Sequence, residues 1–406
     1  MKETVKVGYI GLGRRGISIL NGCLCHMEDV QIAVICDTEQ ERLERARQLI
    51  LDTTGSEPRI TKDYRDVLED PTVDAVFIMT GWSGRPQMAM ECMRAGKYTA
   101  IEVGCADNLQ ECWDLVDTYE QTGVPLMMLE NDCYFRRNLM ALNMAHLGVF
   151  GEIIHCTGAY AHYLPAVDLF KDIEKPGRKH YRLEHYITTN RESYPTHELG
   201  PVSKILSLNR GNKMNSLVCV ASKSRGLKQY AADHLGADSQ YAGMDYAQGD
   251  IVNTLITCEK GETILMTLDT TLPRAYYCQE FSVRGTKAMI SEERNVVYLE
   301  GMEEGKWDNM ESFYEKFDHP LYQNGKTYRG GHGGIDWLVC RAFLESVKNG
   351  TNTPIDVYDT ALWMSIGPLT EEAISTGKRV RIPDFTRGKW QHREPPMDSV
   401  YNLDRT

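Results

Sequence analysis

The chain has 406 residues, 42% of them hydrophobic and 25% charged, with a formal net charge of −12. That length exceeds one ordinary core and predicts two domains, and the negative balance argues against nucleic acid or an anionic membrane as partner, since either calls for a basic face. No apolar run reaches the ~20 residues that span a bilayer, and the first residues run into a strand pattern without a secretory signal, so a cytoplasmic location is expected.

The opening reads as a βαβ unit. Val5 to Ile10 is a short apolar strand, Gly11-Leu12-Gly13-Arg14-Arg15-Gly16 follows, Ile17 to Leu24 continues as a helix, and Gln31 to Cys36 is a second strand ending at Asp37. A lone G-x-G-x-x-G carries little weight. Here it has a strand before it, a helix after it and an acid 21 positions beyond its last glycine, which is the dinucleotide-binding context. Gly11 permits the tight turn, Gly13 a close approach of backbone to pyrophosphate, and Gly16 close packing of helix on strand. Free N–H groups at the helix start favour the phosphates. Asp37 is placed to accept both ribose hydroxyls and to repel a 2′-phosphate, so NAD is expected rather than NADP. Beside a pyrophosphate, at least one of Arg14 and Arg15 is expected to touch the cofactor.

The alternation continues: strand Ala75–Met79 ending at Trp82, helix Pro86–Ala95, strand Tyr98–Val103, helix Leu109–Gln121, and strand Pro125–Leu129 ending at Glu130-Asn131. Strict alternation predicts a parallel, doubly wound sheet, whose ligands lie beyond the carboxyl ends of the strands. Trp82, Glu102, Val103 and Asn131 all stand there, where a structural role and a binding role are equally open. From about Tyr134 the pattern changes. After a helix over Arg136–Leu147 come strand-like segments at Glu152–Ala161, Ser216–Ala221, Asp250–Glu259, Thr263–Thr270, Glu280–Arg284 and Val296–Leu299, several alternating with period two. An α/β Rossmann domain over 1–133 is therefore expected, followed over 134–406 by an α+β domain with a mostly antiparallel sheet. Helices follow at Asp336–Lys348 and Asp356–Thr376, and the polar tail after Pro383 is expected along the surface.

Twelve cysteines include no C-x-x-C, so they are expected as buried, reduced, small apolar residues, with no metal site. Scattered His162, His180 and His185 do not argue for a metal either. Two segments look chemical. In Tyr194-Pro195-Thr196-His197-Glu198-Leu199-Gly200-Pro201, a Tyr three residues before a His at a helix start can put both on one face. Each moves a proton, the His near neutrality and the Tyr when a cation lowers its pKa. Taken alone, the segment reads more readily as a helix entry capped by Thr196 with a satisfied His. The run Arg329 to Gly334 can cradle an anion, but a helix entry with His332 as a local hydrogen-bonding group fits better.

Together these segments resemble the Gfo/Idh/MocA oxidoreductases and, within them, the NAD-dependent glycosidases of glycoside hydrolase family 109, known as α-N-acetylgalactosaminidases. The resemblance covers nearly the whole chain: Glu102-Val103, Leu129-Glu130-Asn131, Leu142 to Gly151, Tyr194 to Pro201, Asn209-Arg210-Gly211, Gly331 to Asp336 and Ile382 to Gly388. Tyr-Pro-Thr-His-x-Leu-Gly-Pro is its most specific mark. It implies NAD contacts at Arg14, Arg15, Asp37, Trp82, Glu102, Val103, Asn131 and Tyr194. It also implies sugar contacts at Arg182, Tyr194, Pro195, Thr196, His197 and Tyr276, with Tyr160 preferred to Tyr163 as a further one. Two departures stand out. Trp82-Ser83-Gly84-Arg85 replaces a Trp-Glu-Trp-His-like run. Glu102-Val103-Gly104 replaces the superfamily's Glu-Lys-Pro, and so lacks its catalytic lysine, as the glycosidase branch does.

The chemistry the resemblance implies needs no carboxylate pair across the glycosidic bond. Hydride leaves C3 of the sugar for NAD+, the C2 proton is removed, the aglycone departs by elimination, water adds, and C3 is reduced again. Tyr194 and His197 are the expected proton-transfer groups, assisted by Tyr276, with the division of protons between them open. A plain NAD-dependent sugar dehydrogenase shares all these residues; a non-catalytic NAD sensor has no use for a proton-transfer pair. A small glycoside as substrate and a homo-oligomer as assembly complete the expectations.

Overall fold

The computed structural model describes residues 2–173, 180–303, 305–396 and 399–404. Six strands, β1 (Val5–Ile10), β2 (Val30–Cys36), β3 (Arg59–Thr61), β4 (Ala75–Ile78), β5 (Tyr98–Ile101) and β6 (Leu126–Met128), form a parallel sheet in the order β3-β2-β1-β4-β5-β6. Apolar residues bury β1, β4 and β6 almost throughout, as a sheet covered on both faces requires. The strand order reverses between β1 and β4, which opens a crevice at their carboxyl ends.

The second sheet comprises β7 (Ile153–Ala161), β8 (Met214–Ala221), β9 (Ile251–Cys258), β10 (Thr263–Asp269), β11 (Ser282–Gly285), β12 (Ala288–Ser291), β13 (Val296–Leu299) and β14 (Val380–Arg381). Its order is β13-β12-β11-β7-β10-β9-β8-β14, antiparallel except where β7 meets β10. The inner face packs on the helices Thr196–Ile205 and Ile366–Thr376. The chain then recrosses: helix Ile335–Asn349 packs near β1, and helix Val357–Met364 against β6.

The differences from the sequence reading have local causes. The first helix starts at Arg14, not Ile17, so both arginines of the glycine loop sit in its first turn. The single helical region expected over 356–376 is two helices, Val357–Met364 and Ile366–Thr376. Pro368 lacks an N–H and its ring clashes with the preceding turn. The tail does not simply follow the surface. Phe385, Thr386, Asn402, Leu403 and Asp404 are buried, and Asp404 joins Lys204, Arg210 and Asp359 in a buried ion network. Strands β3, β12 and β14 and the helices Gln40–Thr54, Tyr181–Thr188 and Gly226–Leu235 were not foreseen. All twelve cysteines are free and buried.

Candidate active site

The glycine loop lies at the end of β1. Gly11 has φ +97°, and a Cβ there would stand 2.8 Å from the Met79 backbone, while one on Gly16 would meet the Gly11 carbonyl oxygen at 2.1 Å. Both positions therefore demand glycine. A Cβ on Gly13 would meet nothing within 4 Å, so the ground in front of the helix start is open for a ligand. No side chain caps that helix, which leaves its first N–H groups for an anion. Asp37 closes the loop from β2: Oδ2 accepts from the Leu12 N–H at 2.7 Å and Oδ1 from the Glu39 N–H at 3.0 Å.

A polar network crosses the other strand ends. Arg15 Nε donates to Glu102 Oε1 at 2.8 Å, and its Nη atoms reach the Asp336 carboxylate at 2.7 and 2.9 Å. Asn131 Nδ2 donates to Asp336 Oδ1 at 2.7 Å, which leaves Asn131 Oδ1 buried without a protein partner. Burial would raise the Asp336 carboxyl, but hydrogen bonds from His332 and Arg15 and the Arg15 charge hold it well below the usual carboxylate range. His332 is the local hydrogen-bonding group expected of it, with Nδ1 3.0 Å from Asp336. The role of Asp336 was missed by sequence reading, although Gly331 to Asp336 was among the family-like segments and His332 stands four positions before it. Arg14 instead turns across to an ion pair with Asp168 and to the Val167 carbonyl.

Trp82 is 3% exposed and packs among aromatic rings. Its ring lies 5.2 Å from Tyr181, 5.1 Å from His185 and 5.9 Å from Tyr194. Gly104 makes room for it, since a Cβ at that φ of +151° would stand 2.4 Å from Trp82 Nε1. The Trp82-to-Arg85 departure has a structural account. Gly84, left-handed, opens the helix Arg85–Arg94, and the buried Arg85 guanidinium donates to the carbonyls of Glu102 and Val103. Arg85, unforeseen, thus holds the turn after β5.

The residues expected to transfer protons converge from three elements. Tyr194 precedes Pro195 and the buried Thr196, where the helix Thr196–Ile205 begins; Thr196 does not cap it, and its hydroxyl is unpartnered. Tyr194 and His197 rings sit edge to face at 4.9 Å, Tyr160 of β7 stacks on Tyr194 at 4.4 Å, and the Arg182 guanidinium lies 4.4 Å over Tyr194. Arg182 Nη1 also reaches the Tyr160 hydroxyl at 3.4 Å. Tyr163 lies elsewhere, against Tyr230. Tyr276 is not brought into this group: it is 63% exposed. Its neighbour Tyr277 is the tyrosine that turns in, 5.4 Å from His162, with its hydroxyl on Asp132.

His197 Nδ1 lies 2.7 Å from Glu130 Oε1 and 3.6 Å from Asp132 Oδ2. Burial would lower this imidazole, but Asp132 and Glu130, with the Glu130 hydrogen bond, raise it to about 9. Burial raises Asp132 to about 6, against the pull of His197. Tyr194 differs from expectation: burial drives it well above the ordinary tyrosine value, and the Arg182 charge only partly opposes this. With Nδ1 committed to Glu130, Nε2 is the nitrogen left for a substrate. Glu130, Asp132 and His197 also place ligand atoms within 4.8 Å of one another, a set able to hold a cation, where the sequence suggested none.

Residues 134–392 match the family model described as glycosyl hydrolase 109, C-terminal domain, and residues 5–130 that of the oxidoreductase family with an NAD-binding Rossmann fold. The chain belongs to glycosyl hydrolase family 109. This family member is 36% identical to an alpha-N-acetylgalactosaminidase of Tannerella forsythia, over 96% of this chain and 88% of that one. It is 38% identical to a glycosyl hydrolase family 109 protein of Shewanella sp. (strain W3-18-1), over 97% and 87%. A levoglucosan dehydrogenase solved with NADH and levoglucosan shares the fold, with a TM-score of 0.71 at 18% identity over 94% of this chain and 100% of that one. The protein is thus an NAD-dependent glycosidase. The open ground at Gly13, the uncapped helix and the unpartnered Asn131 Oδ1 fit the cofactor.

Proposed function

We propose that this family member hydrolyses α-N-acetylgalactosaminides by a redox-assisted elimination and addition. The observation that carries this reading is the junction of Tyr160, Arg182, Tyr194 and His197 beside the strand ends that form the NAD site. The printed activity of the Tannerella relative supports the choice of sugar. A conventional retaining glycosidase needs one carboxylate free as nucleophile. Here Glu130 and Asp132 are both engaged with one imidazole.

When bound, NAD+ supplies reversible oxidation at C3 of the sugar, which acidifies the C2 hydrogen and lets the aglycone leave by elimination. His197 exchanges the sugar proton through Nε2, because it titrates below Tyr194 and so offers its unprotonated form at lower pH. Tyr194, kept protonated by burial, serves as hydrogen-bond donor to sugar oxygens. Arg182, fixed against Tyr194 and Tyr160, binds sugar oxygens and holds both rings in place. Pro195 and Thr196 shape the same wall. Arg15, Asp37, Trp82, Glu102, Val103 and Asn131 contact the cofactor, while Arg14 is held by Asp168.

The assembly we propose is a homo-oligomer through the outer face of the second sheet, where Val218, Val220 and Leu255 are exposed. Twelve buried free thiols suit a reducing compartment, and we assign the protein to the cytoplasm; among the described residues no helix is long and apolar enough to cross a membrane. Turnover in D2O tests the mechanism: deuterium should enter C2 of the released sugar, and full retention of hydrogen there would overturn it.

A further inference from the structure

We infer that Asp132 is a positioning residue for His197: with Glu130 it clamps one imidazole between two carboxylates and so sets the protonation state of the nitrogen that meets the sugar. The inference rests on the reading of His197 as the proton-exchanging group. Glu130 alone would suffice to orient the ring, since its Oε1 takes Nδ1 at 2.7 Å. Asp132 adds a second negative charge at 3.6 Å, and the fold holds that charge in place deliberately. The Tyr277 hydroxyl donates to Asp132 Oδ2 at 2.8 Å, and Gln279 Nε2 donates to the same oxygen. Gln279 is itself fixed: its Oε1 accepts from Arg137 at 2.6 Å and from Asn138 at 3.1 Å, and its Nε2 also reaches the His197 carbonyl at 3.2 Å.

The other groups facing His197 do not duplicate this role. From the tyrosines of β7 and of its own segment it meets the neutral rings of Tyr160 and Tyr194. Glu102 beyond β5 acts on it less strongly than Asp132 or Glu130, and the His197 charge acts in turn on His162. The Arg137 charge acts on Asp132 and favours its ionised form. A resident cation is the competing account of the same three residues. The proton is favoured because Nδ1 and Glu130 stand at hydrogen-bond distance and two neutral donors already fill Asp132 Oδ2.

The test is a pH titration of the protein labelled with 13C-histidine, followed by NMR, the His197 signal being the one absent from His197→Ala. In Asp132→Asn the His197 midpoint should fall by about one pH unit or more, and in Asp132→Glu it should stay near the wild-type value. Tyr277→Phe, which keeps both carboxylates and removes one neutral donor from Asp132, should shift it by less and serves if Asp132→Asn does not fold. An unmoved midpoint in the folded Asp132→Asn and Tyr277→Phe variants overturns the inference. So does one equivalent of Mn2+ broadening the wild-type His197 signal but not that of Asp132→Asn, which would make the trio a cation centre. Because the midpoint is read without turnover, a failure here is separable from a failure of the glycosidase reading, which His197→Ala retaining activity would reveal.

Discussion

Nδ1 of His197 lies 2.7 Å from Oε1 of Glu130, and this hydrogen bond joins the site helix of the second domain to the turn after the last strand of the first sheet. The imidazole is thereby fixed at the seam where the cofactor domain meets the sugar site. Replacing His197 with Ala should lower kcat by about 10²–10⁴-fold, the usual worth of a positioned acid–base group, and leave NAD+ binding unchanged. Parallel rate and calorimetric binding measurements check this.

The wild-type rate should carry a limb near the His197 titration, raised to about 9. If the neutral imidazole takes the sugar proton, kcat/KM at saturating NAD+ rises with pH towards that limb, and the limb moves to lower pH in Asp132→Asn. A profile that falls across the same range would assign His197 the acid role instead.

Asp37 closes the glycine loop through Leu12 and Glu39, and in our proposal its charge repels a 2′-phosphate. Asp37→Ala should weaken NAD+ binding and narrow the preference over NADP+. Dissociation constants for both nucleotides test this, and an unchanged ratio would remove Asp37 from cofactor selection.

Gly104→Ala brings a methyl group to 2.4 Å from Trp82 Nε1 at a φ of +151°. The combined overlap and backbone strain should cost about 1–3 kcal/mol, visible as a lower denaturant midpoint. Equal stability would show that Trp82 moves aside easily.

Glu192 and Glu198 are buried beside the site, and burial raises Glu192 to about 8 and Glu198 well above the carboxylate range. In the unfolded chain such groups ionise near ~4.3. The folded state therefore binds more protons in between. The stabilising contribution of Glu192 is fully present below about 4.3 and is lost as pH rises through about 8. Glu192→Gln should flatten this loss in denaturant titrations run across the interval.

How much of this was legible in the sequence depends on the distance over which a signal acts. The glycine loop, Asp37 and the strand ends were readable because turn geometry and strand–helix alternation are local. Tyr194 and His197 were singled out by the family resemblance, since their spacing at a helix start, taken alone, read more readily as a capped helix entry. Asp132, Asp336 and Arg85 were not readable, because their roles come from pairing across 65, 321 and 17 positions respectively. That Tyr277 rather than the expected Tyr276 turns in depends on how one loop presents its side chains, which carries no periodic signature. The buried tail was misjudged because its anchor, Asp404 on Lys204 and Arg210, is polar and looks like surface until the charges meet.

The most direct measurement is an assay of the purified protein with p-nitrophenyl α-N-acetylgalactosaminide, following nitrophenol and NADH together, with and without added NAD+. Nitrophenol release that depends on NAD+, free or co-purified, with no net NADH is the predicted result. Steady accumulation of NADH from free sugars, with no release of nitrophenol, would contradict the account and leave a sugar dehydrogenase in its place.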